Sequence, residues 1–156
     1  MPDLAPLPDH RQIRILIGTS VRKPLAILKP FLDSLAWQEL PPRTTLVPVF
    51  VADWPEKKGE AYEFLKEWVS ARGGEVLRGS PDTVGDFVDN VGDSHQWTLS
   101  SMRRVGANKN KIITRALELS VDAIFFADAD LILDRTTLAS LIAAEKFITT
   151  AVYWTH

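Results

Sequence analysis

Residues 123–133 read Ala-Ile-Phe-Phe-Ala-Asp-Ala-Asp-Leu-Ile-Leu, an apolar run whose only polar members are Asp128 and Asp130. A short unbroken apolar segment suits a strand buried on both faces, as in a parallel sheet covered by helices. A carboxylate inside such a strand would lose its hydration uncompensated. The two Asp therefore mark the strand's carboxyl end, where open α/β sheets bind their ligands. Paired one residue apart, they offer hard oxygen donors to Mg²⁺ or Mn²⁺, the cations that accompany phosphates. The run thus points to a site for a divalent cation and a nucleotide diphosphate. With twelve Asp in 156 residues, chance alone supplies roughly one Asp-x-Asp. The apolar setting carries the reading, and a solvated strand end is the plain alternative.

Length, charge and cysteine content narrow the class. A chain of 156 residues fits one domain and buries on the order of 70% of its unfolded surface. The net charge of −2 supplies no basic field for nucleic acid or anionic membrane. Cysteine is absent, which excludes disulfides and thiolate metal sites and agrees with a cytoplasmic location. No apolar stretch reaches the roughly 18 residues of a membrane span, and the start, MPDLAPLPDHRQ, lacks the form of a signal peptide.

Residues 1–11 hold three prolines and no periodicity and read as a flexible lead; 12–156 form the domain. Gln12–Gly18 is the first strand, followed by a helix from Pro24 to Glu39 that stops before Pro41-Pro42. Pro30 predicts a kink or a late start near Lys29. Thr44–Ala52 is a second strand closed by Asp53, although Pro48 argues against a regular central place. A helix over 57–72 and a short strand at Glu75–Arg78 come next. Residues 79–101 lose all periodicity and read as a mobile active-site loop carrying His95 and Trp97. Gly106–Leu119 is a helix with Ile112, Ile113, Ala116 and Leu117 inward and Asn108, Lys111 and Arg115 outward. After the Asp pair, Asp134-Arg-Thr-Thr opens a helix through Ala144, and Lys146–Trp154 alternates as a last strand. This alternation predicts an α/β fold with a doubly wound, mainly parallel sheet.

The familiar phosphate loops are missing. Neither G-x-G-x-x-G nor G-x-x-x-x-G-K-[ST] occurs, and three histidines without cysteine make no structural zinc site. What a sheet ordered 3-2-1-4 would bring together is a set of strand-end polar groups. They are Thr19 and Ser20 after strand one, Asp53 after strand two, Asp128 and Asp130, and Asn108, Lys109, Asn110, Lys111 and Arg115 on the helix before the pair. Each has a bland reading too: Asp53 can start the Asp53-Trp54-Pro55 turn, and the basic group can be a solvated helix face.

These segments resemble the nucleotide-binding half of the GT-A glycosyltransferases, nearest to the inverting family 2 enzymes. The resemblance lies in RILIGTS (14–20), VPVFVAD (47–53), GANKNKIITRAL (106–117) and, above all, FFADADLILDRTTL (125–138). It implies that Thr19 and Ser20 contact the nucleoside, Asp53 the base and Asp128 the ribose. Asp130, with Asp128, would hold Mn²⁺ or Mg²⁺ bridging the diphosphate, and Asn108 or Lys111 would touch base or phosphates. The implied reaction is transfer of a sugar from a nucleotide-diphosphate donor to an acceptor hydroxyl. Family members continue well past the point where this sequence stops, so the sequence reads as a donor-binding part, truncated at its C-terminal end. The base is expected beyond residue 156, the part alone is expected not to transfer, and the last strand is expected to expose an edge open to self-association. A non-catalytic nucleotide-binding module is the alternative. A haloacid-dehalogenase-like phosphatase is a weaker one, because that motif wants Thr or Val where Ile132 stands and belongs on a first strand.

Overall fold

β1 (Ile13–Val21) is the strand on which the other elements are laid. It pairs in parallel with β2 (Thr44–Ala52) on one side and with β4 (Ala123–Phe126) on the other. β2 pairs in parallel with β3 (Glu75–Arg78), giving the order β3-β2-β1-β4. Helices α1 (Leu25–Ala36), α2 (Glu60–Ser70), α3 (Leu99–Glu118) and α4 (Thr137–Ala143) complete the alternation of a doubly wound α/β fold. The computed structural model describes residues 12–53, 59–79 and 99–151. The expected lead over residues 1–11 and most of the expected loop over 79–101, with His95 and Trp97, lie outside them.

The pleat of the sheet divides the core in two, because successive side chains leave opposite faces. On one face Ile17, Val21 and Phe50 meet Leu28, Phe31, Leu32 and Leu35 of α1 and Leu65 and Val69 of α2. There the Phe50 ring stacks on Trp68 with centroids 6.1 Å apart. On the other face Leu16, Val49 and Val51 meet Ile112 and Ala116 of α3. Gly18 lets α3 come this close: a Cβ there would lie 2.4 Å from Cγ2 of Ile112.

Several boundaries differ from the sequence reading. β1 runs on to Val21, and α1 starts at Leu25 and passes through Pro30. Pro48 sits in central β2, but pairing with β3 begins only at Val49, one residue later. α3 starts at Leu99, so the end of the presumed loop is helix. Its buried stripe is Asn108, Ile112 and Ala116, whereas Ile113 and Leu117 are exposed. Spacing of four keeps 108, 112 and 116 on one face, and each following residue turns about 100° away.

β4 ends at Phe126, where its register with Gly18 stops, before the Asp pair, and among the described residues it is an edge strand, partly exposed rather than buried on both faces. The last strand does not form over its described part: residues 146–151 are exposed and belong to no strand. Alternation alone does not make a strand when no neighbour satisfies its backbone. Among the described residues, no helix is long and apolar enough to cross a membrane.

Candidate functional site

α3 runs antiparallel to the strands, as its contacts show. Near its end, Arg115 pairs with Glu75 at the start of β3, and the Leu119 carbonyl accepts from Nη1 of Arg14 at 2.9 Å. Its first turns therefore reach the strands' carboxyl ends. The sheet-facing stripe changes character accordingly: Arg104 and Asn108 by the strands' carboxyl ends, Ile112 and Ala116 over the core. Asn108 is fully buried and donates from Nδ2 to Oγ of Ser20 at 2.9 Å. Arg104 lies with Nε 3.0 Å from Oδ2 of Asp53.

Asp53 continues β2, its amide donating to the Val21 carbonyl at 2.9 Å. Its side chain is only 9% exposed. Gly79 passes so near that a Cβ there would lie 3.0 Å from Oδ1 of Asp53. The carboxylate is thus walled in by a glycine and neutralised by an arginine.

The Asp pair owes its exposure to alternation. Ala127 and Ala129 point into the core, 8% and 3% exposed, so Asp128 and Asp130 point out. The Ala127 amide still reaches the Gly18 carbonyl at 3.2 Å, and the chain then turns at Ala129-Asp130. The stretch from Lys23 through α1 to Gln38 fastens this segment at both ends. At the N-terminal side, Nζ of Lys23 lies 2.5 Å from Oδ2 of Asp130. At the other, Oγ of Ser34 accepts from the Leu133 amide at 3.1 Å, and Gln38 bridges the Asp134 carbonyl (2.6 Å) and the Leu138 amide (3.0 Å). Asp134 Oδ1 accepts from the amide (2.9 Å) and hydroxyl (2.6 Å) of Thr136. Those bonds, the hydroxyl's first, hold the Asp134 carboxyl below its ordinary range.

The expected site residues divide into two groups. Ser20, Asp128 and Asp130 sit at or just past the ends of the neighbouring strands β1 and β4, with Asn108 against Ser20. Asp53 ends the next strand over. Thr19 is within β1 and 3% exposed, so its hydroxyl faces the interior. Lys111 donates to the Arg78 carbonyl at 2.9 Å, at the β3 edge, roughly 14 Å from β4 at three strand spacings. Lys109 lies on the β4 side instead, its ammonium 5.6 Å from the Phe126 ring centre.

Sequence reading assigned no role to Arg104 or Lys23. Arg104 was legible as the residue four before Asn108, on the stripe that turned out to face the sheet. Lys23 carried no local signal, because its partner is 107 residues away.

Two exposed carboxylates suit Mg²⁺ or Mn²⁺ where ligand phosphates complete the shell, the usual arrangement for cations bound with phosphate esters. The ammonium against Asp130 shows that this carboxylate already holds positive charge. Among the described residues no cluster of three or more His, Cys, Asp or Glu could enclose a metal. The donor set therefore fits a cation shared with a phosphate ligand and does not fit a cage built by the protein alone.

No family model matches the chain. A protein of Drosophila pseudoobscura pseudoobscura named "Glycosyltransferase 25 family member" is 27% identical over 131 residues, covering 80% of this chain and 20% of that protein. The chain is similar to a glycosyltransferase. It spans about a fifth of that relative's length. That relative is named for family 25, not for the family 2 that the residues resembled: an apolar strand followed by Asp-x-Asp does not distinguish one family of sugar transferases from another.

Proposed function

We propose that the chain binds a nucleotide-diphosphate sugar, as the donor-binding part of a metal-dependent glycosyltransferase with a GT-A-type nucleotide half. One observation carries this reading. β1 and β4 are neighbours in the sheet though far apart in sequence: Ser20 lies near the end of β1, Asp128 and Asp130 follow β4, and Lys23 joins the two strand exits through Asp130. The switch point outside the carboxyl ends of the strands, where the strand order reverses, is where doubly wound sheets bind nucleotides. The similarity to a protein named as a glycosyltransferase favours a sugar nucleotide over other nucleotides, and family 25 over family 2.

In this proposal Asp128 takes the ribose hydroxyls, and Asp130 with Asp128 would hold Mn²⁺ or Mg²⁺ together with the ligand's phosphates. Asp53 recognises the base, with its carboxylate set by Arg104. Ser20 and Asn108 shape the nucleoside side, while Thr19 supports that wall from within the core and Lys111 from the β3 side. The cation supplies positive charge to the leaving diphosphate. An acceptor hydroxyl attacks the anomeric carbon, the bond to the diphosphate breaks, and a base takes the hydroxyl proton.

Calorimetry with UDP and GDP tests the reading. Binding is expected with Mn²⁺ and much weaker binding with EDTA. Equal affinity in both conditions would remove the role given to Asp130, and no binding of either nucleotide would overturn the reading as a whole.

A further inference from the structure

Lys23 leaves the end of β1 and Asp130 follows the end of β4, strands that pair from Ile15↔Ala123 to Gly18↔Phe126. Past those ends the two chains separate, one into α1 and the other into the turn at Ala129-Asp130. The Lys23 side chain spans the gap, with Nζ 2.5 Å from Oδ2 of Asp130. Both side chains remain partly open to solvent, at 26% and 37%. Asp128 stands exposed two residues before Asp130. The ammonium therefore sits on the carboxylate that the proposed function assigns to the cation.

We infer that Lys23 is an exchangeable counter-ion. It neutralises Asp130 in the free protein, gives that carboxylate up when Mn²⁺ or Mg²⁺ enters, and transfers its charge to the diphosphate. This rests on the nucleotide reading above. The physical reason is charge crowding: an ammonium and a divalent cation on one carboxylate repel each other, in a partly open site where water screens them incompletely. A long, flexible lysine stem allows the movement, and its compact ammonium donates to phosphate oxygens as readily as to a carboxylate. With Lys23 in place, the free protein holds the metal weakly. When nucleotide is present, the displaced ammonium gains a new anion, so cation and nucleotide strengthen each other's binding by equal factors.

The test measures free Mn²⁺ by electron paramagnetic resonance, using the 156-residue chain and its Lys23→Gln, Asp130→Asn and doubly substituted forms. Without nucleotide, Lys23→Gln is expected to bind Mn²⁺ about three- to tenfold more tightly than the unsubstituted chain. In saturating Mn²⁺ it is expected to bind UDP about three- to tenfold more weakly. Circular dichroism on each form checks that it folds. Mn²⁺ affinity that Asp130→Asn abolishes but Lys23→Gln leaves unchanged would overturn the exchange and leave the proposed function standing. Unchanged UDP affinity in Lys23→Gln would overturn the transfer to the diphosphate. Mn²⁺ binding that survives Asp130→Asn in both backgrounds, or no Mn²⁺ binding in any form, would overturn the metal site and the exchange together.

Discussion

Arg104, near the start of α3, lies with Nε 3.0 Å from Oδ2 of Asp53 at the end of β2, and both side chains are nearly buried, 12% and 9% exposed. The pair joins the helix leading toward the Asp-x-Asp strand to the strand end proposed to read the base. Removing one partner of a buried pair leaves the other charged and poorly solvated. Arg104→Ala is therefore expected to lower stability by about 2–4 kcal/mol. The apolar double substitution Arg104→Met with Asp53→Leu should recover much of that loss, since it removes both charges. Urea unfolding of the three forms decides it; a double variant no more stable than Arg104→Ala would show that the pair is not the source of the cost.

Gly18 and Ile112 set how near α3 lies to β1. Gly18→Ala puts a methyl 2.4 Å from the fully buried Ile112 side chain, an overpacking expected to cost about 1–3 kcal/mol. Adding Ile112→Ala removes the Cγ2 that the new methyl meets, so the double variant should lose less than the sum of the two single losses. Thermal melts of the single and double variants test it, and additive losses would mean that the two residues do not compete for one volume.

Asn108 and Ser20 satisfy each other across the same seam. Asn108→Ala is expected to lose about 1–3 kcal/mol, because it deletes a buried hydrogen bond and leaves a void. A double-mutant cycle with Ser20→Ala should show a coupling of about 1 kcal/mol. Zero coupling would assign the loss to packing alone.

Acid should reveal Asp134. Hydrogen bonds from Thr136 hold its carboxyl below the ordinary value of 3.8. A carboxyl depressed on folding stabilises the native state above its unfolded value and loses that contribution as pH falls through its folded one. The stability difference between the unsubstituted chain and Asp134→Ala should thus be constant near neutral pH and shrink below about pH 4. Urea titrations from pH 7 to pH 3 test it, and a gap that widens on acidification would reverse the assignment.

Where backbone pattern and side-chain chemistry agree locally, the elements were legible. Thr44–Ala52 and Glu75–Arg78 form strands over the residues read from sequence, and the parallel order follows from strands alternating with helices. Asp128 and Asp130 fall at a strand exit because an apolar run tolerates charge only past its end. The inward face of α3 was misread because two overlapping apolar stripes compete, 112/116 and 113/117. A polar Asn108 looks like surface until Ser20 is found beneath it.

The amino-acid sequence by itself determined the α/β class and the carboxylates at the strand ends, consequences of local periodicity and of the cost of burying charge. Only the tertiary structure decided that Asp53 answers to Arg104 and Asp130 to Lys23. It also decided that β4 is an edge and that residues 146–151 pair with no strand among the described residues. These outcomes depend on which groups meet across long stretches of chain, 107 residues for Lys23 and Asp130. Ion pairing and ladder formation are set by distance in space, which local pattern does not encode.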